Sequence, residues 1–260
     1  MAVEAFRDLA LARLSLPVPE FHSRWLSGQL EAVSREWDFP DVHALIDELW
    51  AQHPDTELWK SVIHSVTVHE TYWLRNGKNL AQALKAFGST LPRLRVLSLG
   101  CAYGQEPYAA YLLAREFHPG ADIEVTGVDL SAVCVDRARA GQFPLTADFN
   151  LIEEYLRSDD GIKANGYFEF SEAIRQRLHF RTGNVLDPGV AGPDPYDLIL
   201  CQNCLTYYEE GVREKVAAHL ADSLDAGGLL VFAGAELLGT RPRGVVPLSD
   251  EWAQIFVKEF

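Results

Sequence analysis

A few residues fall at types and spacings suited to holding a nucleoside. Gly100-Cys-Ala-Tyr-Gly104 is a glycine turn behind an apolar run, where missing side chains let the backbone approach a ligand closely. Asp129 comes 25 residues after Gly104, at the end of the next apolar run, the position from which a carboxylate accepts hydrogen bonds from ribose hydroxyls. Asn184 and Asn203 close two further runs, and amides there can read an adenine edge. Glycine turns and strand-end acids are common singly; in this order they specify a nucleoside-containing ligand.

Glu106 narrows the ligand. The turn is not the GxGxxG of dinucleotide folds, because Ala102 replaces its middle glycine and Glu106 sets a carboxylate where a pyrophosphate needs the helix N-terminus free of anions. A carboxylate there suits an ammonium or sulfonium, both of which S-adenosylmethionine carries. No tyrosine is followed by lysine at i+4, so the short-chain dehydrogenase dyad is missing. No metal is expected: Cys201-Gln-Asn-Cys204 has no second CxxC, and the eight histidines form no HExxH. Cys101, Cys134, Cys201 and Cys204 read as small core residues of a protein in a reducing compartment.

The elements that must position these residues follow from periodicity. Residues 19 to 88 read as helices, with Leu26, Leu30, Val33 and Trp37 at helical spacing, then Leu45, Ile46, Leu49 and Trp50 behind Asp41 as N-cap, then Leu58 to Leu74. From Leu94 a βαβ rhythm takes over. Strands are expected at Leu94–Leu99, Ile123–Val128, from Leu178, at Tyr196–Cys201 and at Leu229–Phe232. Helices are expected from Pro107 to Phe117, Ala132 to Ala140 and Val212 to Leu224, with a turn at Asp225–Gly228 and a closing strand in Trp252–Phe260. Right-handed crossovers make this an α/β fold, a doubly wound and mostly parallel sheet whose ligand sits at the carboxyl ends of the strands. Gln142 to Arg177 breaks the rhythm and must carry structure of its own.

Four segments carry a resemblance: His69-Glu-Thr-Tyr-Trp-Leu-Arg75, Gly100-Cys-Ala-Tyr-Gly-Gln-Glu-Pro-Tyr108, Ile199-Leu-Cys-Gln-Asn-Cys-Leu-Thr-Tyr-Tyr208 and Ala226-Gly-Gly-Leu-Leu-Val-Phe232. Together they resemble the successive signatures of CheR-type methyltransferases, which use S-adenosylmethionine to methylate glutamates of chemotaxis receptors. The resemblance runs from about residue 20 to the C-terminus. It implies a class I, Rossmann-like methyltransferase domain over 89–260, a small β-rich insertion at about 141–177, and a helical N-terminal domain with a linker helix over 1–88. Cofactor contacts would fall on His69, Thr71, Arg75, Gly100, Glu106, Asp129, Asn184, Val185, Gln202 and Asn203, with Arg75 and Tyr207 close to the transferred methyl. The product would be S-adenosylhomocysteine. His69 and Gln202 stand where the family usually has Asn and Arg, and Gly234-Ala-Glu236 where it often has His-Ser-Glu.

A carboxylate acceptor, ionised at pH 7, needs no general base, and no Ser/His/Asp set or paired acids surround the turn. Two other readings fit the same residues: a methyltransferase for another carboxylate, and a non-catalytic S-adenosylmethionine-binding regulatory module.

Composition bounds the partners. The 260 residues are 48% hydrophobic and 23% charged, ordinary for a globular chain. With 23 Lys and Arg against 37 Asp and Glu the net charge is −14, which disfavours nucleic acid and anionic lipid. The acidic N-terminus is unlike a signal peptide and no apolar run approaches a membrane span, so a cytoplasmic monomer is expected. Residues 1–90 hold eight basic and twelve acidic side chains. An acidic receptor helix must therefore find a local basic patch, for which Arg24 and Arg35, aided by Arg7 and Arg13, are the candidates.

Overall fold

Residues 2–18, 23–88, 91–206, 208–234, 236, 242–251 and 254–259 are described by the structure, a computed structural model. They fall into two units: one holds the chain up to His69 together with Leu130–Val133, the other Glu70–Asp129 and Cys134 onward.

The first unit is built on helices α1 (Ala2–Leu14), α2 (Ser23–Glu36), α3 (Val42–Ala51) and α4 (Glu57–Val66). Leu26, Leu30 and Val33 of α2 are buried, as are Leu45, Ile46 and Leu49 of α3, which is the i, i+3, i+4 stripe the sequence shows. Asp41 caps α3 by accepting from the Ala44 N–H at 2.9 Å. Trp59 of α4 is fully buried, and its indole donates to Leu49 O at 3.1 Å. Arg7 and Arg13, half-buried, are engaged within the unit. Arg7 donates to Val18 O and Ser23 Oγ, and Arg13 to Trp50 O and Gln52 O at the end of α3, because orphan carbonyls at loops and helix ends draw guanidinium donors. Arg24 and Arg35 are exposed on α2.

The second unit opens with α5 (Gly77–Ala86). It then alternates β1 (Arg93–Leu99), α6 (Gln105–Phe117), β2 (Asp122–Asp129) and α7 (Ala132–Ala140). After an insertion come β6 (Leu178–Thr182), β7 (Tyr196–Cys201), α10 (Glu210–Asp222), β8 (Leu224–Phe232), β9 (Val245–Pro247) and β10 (Ile255–Lys258). The insertion holds β3 (Gln142–Pro144), α8 (Asn150–Glu153), β4 (Gly161–Ala164), β5 (Tyr167–Phe170) and α9 (Glu172–Arg175). The main sheet runs β6-β2-β1-β7-β8-β10-β9, parallel except for β10, which is antiparallel to both its neighbours. It is a doubly wound, Rossmann-like arrangement whose order reverses at β1 and β7.

The two-residue period decides which core each strand residue enters. Leu94 and Val96 of β1, Leu198 and Leu200 of β7, and Leu229 and Val231 of β8 join one cluster with α5, α6 and the insertion; Leu97, Leu99, Ile199, Cys201, Leu230 and Phe232 join another with α10. Burying each aliphatic side chain contributes about 1.5–3 kcal/mol. The insertion's own sheet, β3-β5-β4, is antiparallel. It is pinned to α6 by Arg115, whose guanidinium donates to both Asp160 carboxylate oxygens at 2.6 Å and to Tyr155 O. Its ring cluster of Phe143, Phe149 and Phe170 encloses Trp73, whose backbone N–H donates to Asp148 Oδ2 at 2.9 Å.

Four elements depart from the sequence expectation. The helix expected over Leu58–Leu74 stops at Val66, where the β-branched run Val66-Thr67-Val68 leaves helical geometry and the Thr67 hydroxyl donates to Ile63 O. Arg75 therefore lies in a turn ahead of α5, not at a helix end. The turn expected at Asp225–Gly228 is an irregularity inside β8, with Gly227 at φ +75° and the pairing to β7 shifting between Tyr196 and Leu198. Accordingly α10 covers 210–222, ending before Leu224 starts β8. The closing strand is 255–258, and β9, too short to show a period, was not expected.

Candidate cofactor site

The glycine turn is wedged between neighbouring elements. Gly100 and Cys101 N–H groups both donate to Val128 O at the end of β2, and the Ala102 N–H donates to Asp129 Oδ2 at 2.8 Å. Ala102 adopts φ +46°, a left-handed conformation that disfavours a side chain; its bond to Asp129 helps hold it there. Gly104 precedes α6 at φ +97°, and a Cβ on it would stand 2.9 Å from Ala138 Cβ of α7, so both conformation and space require glycine. Asp129, 8% exposed, thus supports the turn with its carboxylate.

Glu106, in the first turn of α6, meets two strands. Ser98 is one residue short of the end of β1 and in phase with Leu94 and Val96, so its side chain points to the α6 side; it is fully buried and its hydroxyl donates to Glu106 Oε1 at 2.8 Å. Gln202, the residue after β7, donates its amide to Glu106 Oε2 at 2.8 Å. Burial pushes the Glu106 carboxyl up to about 7, against the pull of those two hydrogen bonds and of the Arg75 charge, with the Glu236 charge adding to the rise. Gln202 is 7% exposed, and among the described residues its Oε1 has no hydrogen-bond partner.

Asn203 follows at φ +64°, and its Oδ1 accepts from Asn76 Nδ2 at 2.8 Å. That bond ties the segment carrying Arg75 to the end of β7. Arg75 donates to Glu70 O at 2.6 Å, and its guanidinium lies 5.7 Å from the Tyr72 ring centroid. Asn184, two residues beyond β6, accepts from the Leu186 N–H at 2.9 Å, which fixes the turn through half-buried Val185. Thr71 is half-buried in the same unit. His69 belongs to the first unit, its Nε2 2.9 Å from His64 O and its ring stacked 4.5 Å from that of His64. Tyr207 and Ala235 lie outside the described residues.

The structure therefore brings Glu106, Gln202 and Ser98 into one bonded set, Asp129 against the Gly100–Ala102 turn, and Asn203 against Asn76. Ser98 and Asn76 had no place in the sequence reading, and Glu236 entered it only through the family resemblance, with no partner assigned. Ser98 had a signal, a polar residue inside an apolar strand. Asn76 and Glu236 had little, because crossovers and loops bring them from far along the chain. Glu236 is 1% exposed, and its carboxylate accepts from the Leu205 N–H at 2.7 Å and the Ala233 N–H at 3.0 Å. It clamps the chain beyond Asn203 to the end of β8. Burial pushes its pKa up against these backbone bonds.

Residues 69–251 match the family model described as CheR methyltransferase, SAM binding domain. The chain belongs to the CheR methyltransferase family. It is 27% identical to Chemotaxis protein methyltransferase 1 of Pseudomonas aeruginosa, over 84% of this chain and 83% of that protein. It is 28% identical to Chemotaxis protein methyltransferase Cher2 of Pseudomonas putida, over 92% of this chain and 91% of that one. It is also 27% identical to the probable biofilm formation methyltransferase WspC of Pseudomonas aeruginosa, where it covers 79% of this chain and about half, 53%, of the relative. Membership in this family makes the chain an S-adenosylmethionine-dependent methyltransferase, and the donor set fits that ligand: Glu106 offers a carboxylate and Gln202 an orphan buried acceptor to an ammonium. No described helix is long and apolar enough to cross a membrane.

Proposed function

We propose that this CheR-family chain transfers a methyl group to side-chain carboxylates of glutamates on a chemotaxis-type receptor. The observation that carries the reading is the Glu106–Gln202 pair at the head of α6 and the end of β7, which suits a cationic amino-acid ligand and disfavours a diphosphate. In this reading Asp129 takes the ribose, Asn184 and Val185 the adenine, and Gln202 and Asn203 line the opposite strand end, with Gly100 giving backbone access. His69, Thr71 and Arg75 complete the contacts. When bound, S-adenosylmethionine supplies an electrophilic methyl on sulfonium.

The acceptor carboxylate is already ionised at neutral pH. What the protein must supply is in-line placement and exclusion of water. Arg75 and Tyr207 take that task. Arg75 is held by Glu70 O and the face of Tyr72; in this reading its role is toward the cofactor, which would leave the attacking oxygen's charge unblunted. Residues 89–260, with the 141–177 insertion, act as the catalytic domain, and residues 1–88 as the helical part that meets an acidic receptor helix through Arg24 and Arg35. The enzyme works as a cytoplasmic monomer without metal.

The test is methyl transfer from labelled S-adenosylmethionine to purified receptor. Label released by mild base, and lost when the receptor's methylated glutamates are replaced by alanine, is the expected result. Acid- and base-stable label, or cofactor binding with no transfer to any receptor, would overturn it.

A further inference from the structure

Two thiols flank the amides at the end of β7. Cys201, the last residue of the strand, and Cys204 bring their sulfurs within 3.3 Å, with Gln202 and Asn203 between them. All four cysteines are free, and among them Cys204 alone is half-buried while the others are buried. Cys201 is fixed on both sides, registered with Leu99 of β1 and Phe232 of β8. Cys204 packs against the glycine turn so closely that a Cβ on Gly100 would stand 2.7 Å from its own Cβ.

We propose that Cys201 and Cys204 form a redox-modification site, a dithiol that a small-molecule disulfide converts into an intrachain bond and that thereby withdraws Gln202 and Asn203 from the cofactor site. Cys204, half-buried where Cys201 is buried, attacks with its sulfur one sulfur of the small disulfide; a mixed disulfide forms and one small thiolate leaves, taking up a proton. The Cys201 sulfur then attacks Cys204 Sγ, the S–S bond between the two cysteines forms, and the second small thiolate leaves. Two protein thiols are oxidised, one small disulfide is reduced to two thiols, and atoms and electrons balance.

The consequence follows from what can move. A disulfide needs its sulfurs about 2.05 Å apart, well inside the 3.3 Å separation of the thiols. Since Cys201 is held by two neighbouring strands, Cys204 must come to it, off Gly100. That drags Asn203, which sits at φ +64° and is bonded to Asn76, and turns Gln202, which is bonded to Glu106. Burial also shapes the rate: the hydrogen bond from Cys201 pulls the Cys204 thiol down but burial leaves it raised overall, so exchange is slow at neutral pH and quickens in alkali.

The affinity arm rests on the cofactor reading above; the chemical arm does not. The full chain is incubated with glutathione disulfide, then examined by intact mass, peptide mapping, hydrogen exchange over 202–206 and calorimetry with S-adenosylmethionine, before and after dithiothreitol. The expected result is loss of two hydrogens mapped to Cys201–Cys204, altered exchange in 202–206, and affinity at least about tenfold weaker, all reversed by the reductant. Cys204→Ala, which keeps the Cβ against Gly100, is expected to bind as tightly as the reduced protein and to ignore the oxidant. A stable mixed disulfide, no reaction under alkaline oxidant, a bond mapped to other cysteines, or a mapped Cys201–Cys204 bond with exchange and affinity unchanged would each overturn the proposal. If the reduced protein fails to bind S-adenosylmethionine at all, the cofactor reading falls, while mass and exchange still decide the dithiol.

Discussion

Gln202 Nε2 stands 2.8 Å from Glu106 Oε2, so a neutral amide is the strand-end partner of the helix-head carboxylate. A guanidinium there would hold Glu106 ionised. An amide stabilises the anion less, and burial then lifts the carboxyl to about 7. Three predictions start from this site and a fourth from the clamp beside it.

If Glu106 holds the ligand's ammonium as proposed, replacing it by glutamine removes a charge-assisted hydrogen bond worth about 1.5–3 kcal/mol. Calorimetric affinity for S-adenosylmethionine should fall roughly ten- to hundredfold with little change in the folded state. Unchanged affinity would mean that the ammonium is held elsewhere.

The raised carboxyl also sets a pH dependence. Glu106 keeps its proton to higher pH in the folded protein than in the unfolded chain, so its contribution to stability is full below the ordinary carboxylate range and is lost as pH rises through about 7. Glu236 shifts in the same direction. The urea midpoint of the native protein minus that of Glu106→Gln therefore isolates Glu106, and this difference should decline between pH 5 and 8. Over pH 6 to 7.5 cofactor affinity should rise in the native protein and stay flat in the variant.

Arg75→Ala and Tyr207→Phe should depress turnover far more than cofactor affinity. Single-turnover methylation beside calorimetry separates the two quantities. Equal and small losses in both would remove these residues from the positioning role.

Glu236→Ala leaves the buried Leu205 and Ala233 amides without their acceptor, costing about 1–3 kcal/mol for each group. Glu236→Gln keeps one acceptor oxygen for one of the two amides and sets an NH2 donor against the other, so it should recover only part of the urea midpoint. If the clamp matters for chemistry, kcat in the alanine variant should fall further than the KM for S-adenosylmethionine rises, because Leu205 is two residues from Tyr207.

Much of this was written into local pattern. Strands such as Tyr196–Cys201 and the helix Ala132–Ala140 were legible because apolar runs and periods are local signals, and the places of Asp129 and Asn203 at strand ends and of Gly104 ahead of α6 were legible for the same reason. What escaped was of two kinds. Asp225-Ala-Gly-Gly228 keeps its turn character as an irregularity with no register partner on β7, and the pairs Tyr196–Leu224 and Leu198–Leu229 on either side carry β8 across it, a continuation that composition does not report. The partners Asn76 and Glu236 lie 127 and 31 residues from the groups they bind, and no spacing rule reports such pairs.

Trp73 has a consequence for how the enzyme is born. The segment bearing Thr71 and Arg75 is seated by a tryptophan whose pocket is made of Phe143, Phe149 and Phe170, and whose amide bonds Asp148, 75 residues downstream. On the ribosome the segment bearing Arg75 is synthesised early but its seat is incomplete until residue 170 has emerged, by which point the glycine turn and the first two strands are already made.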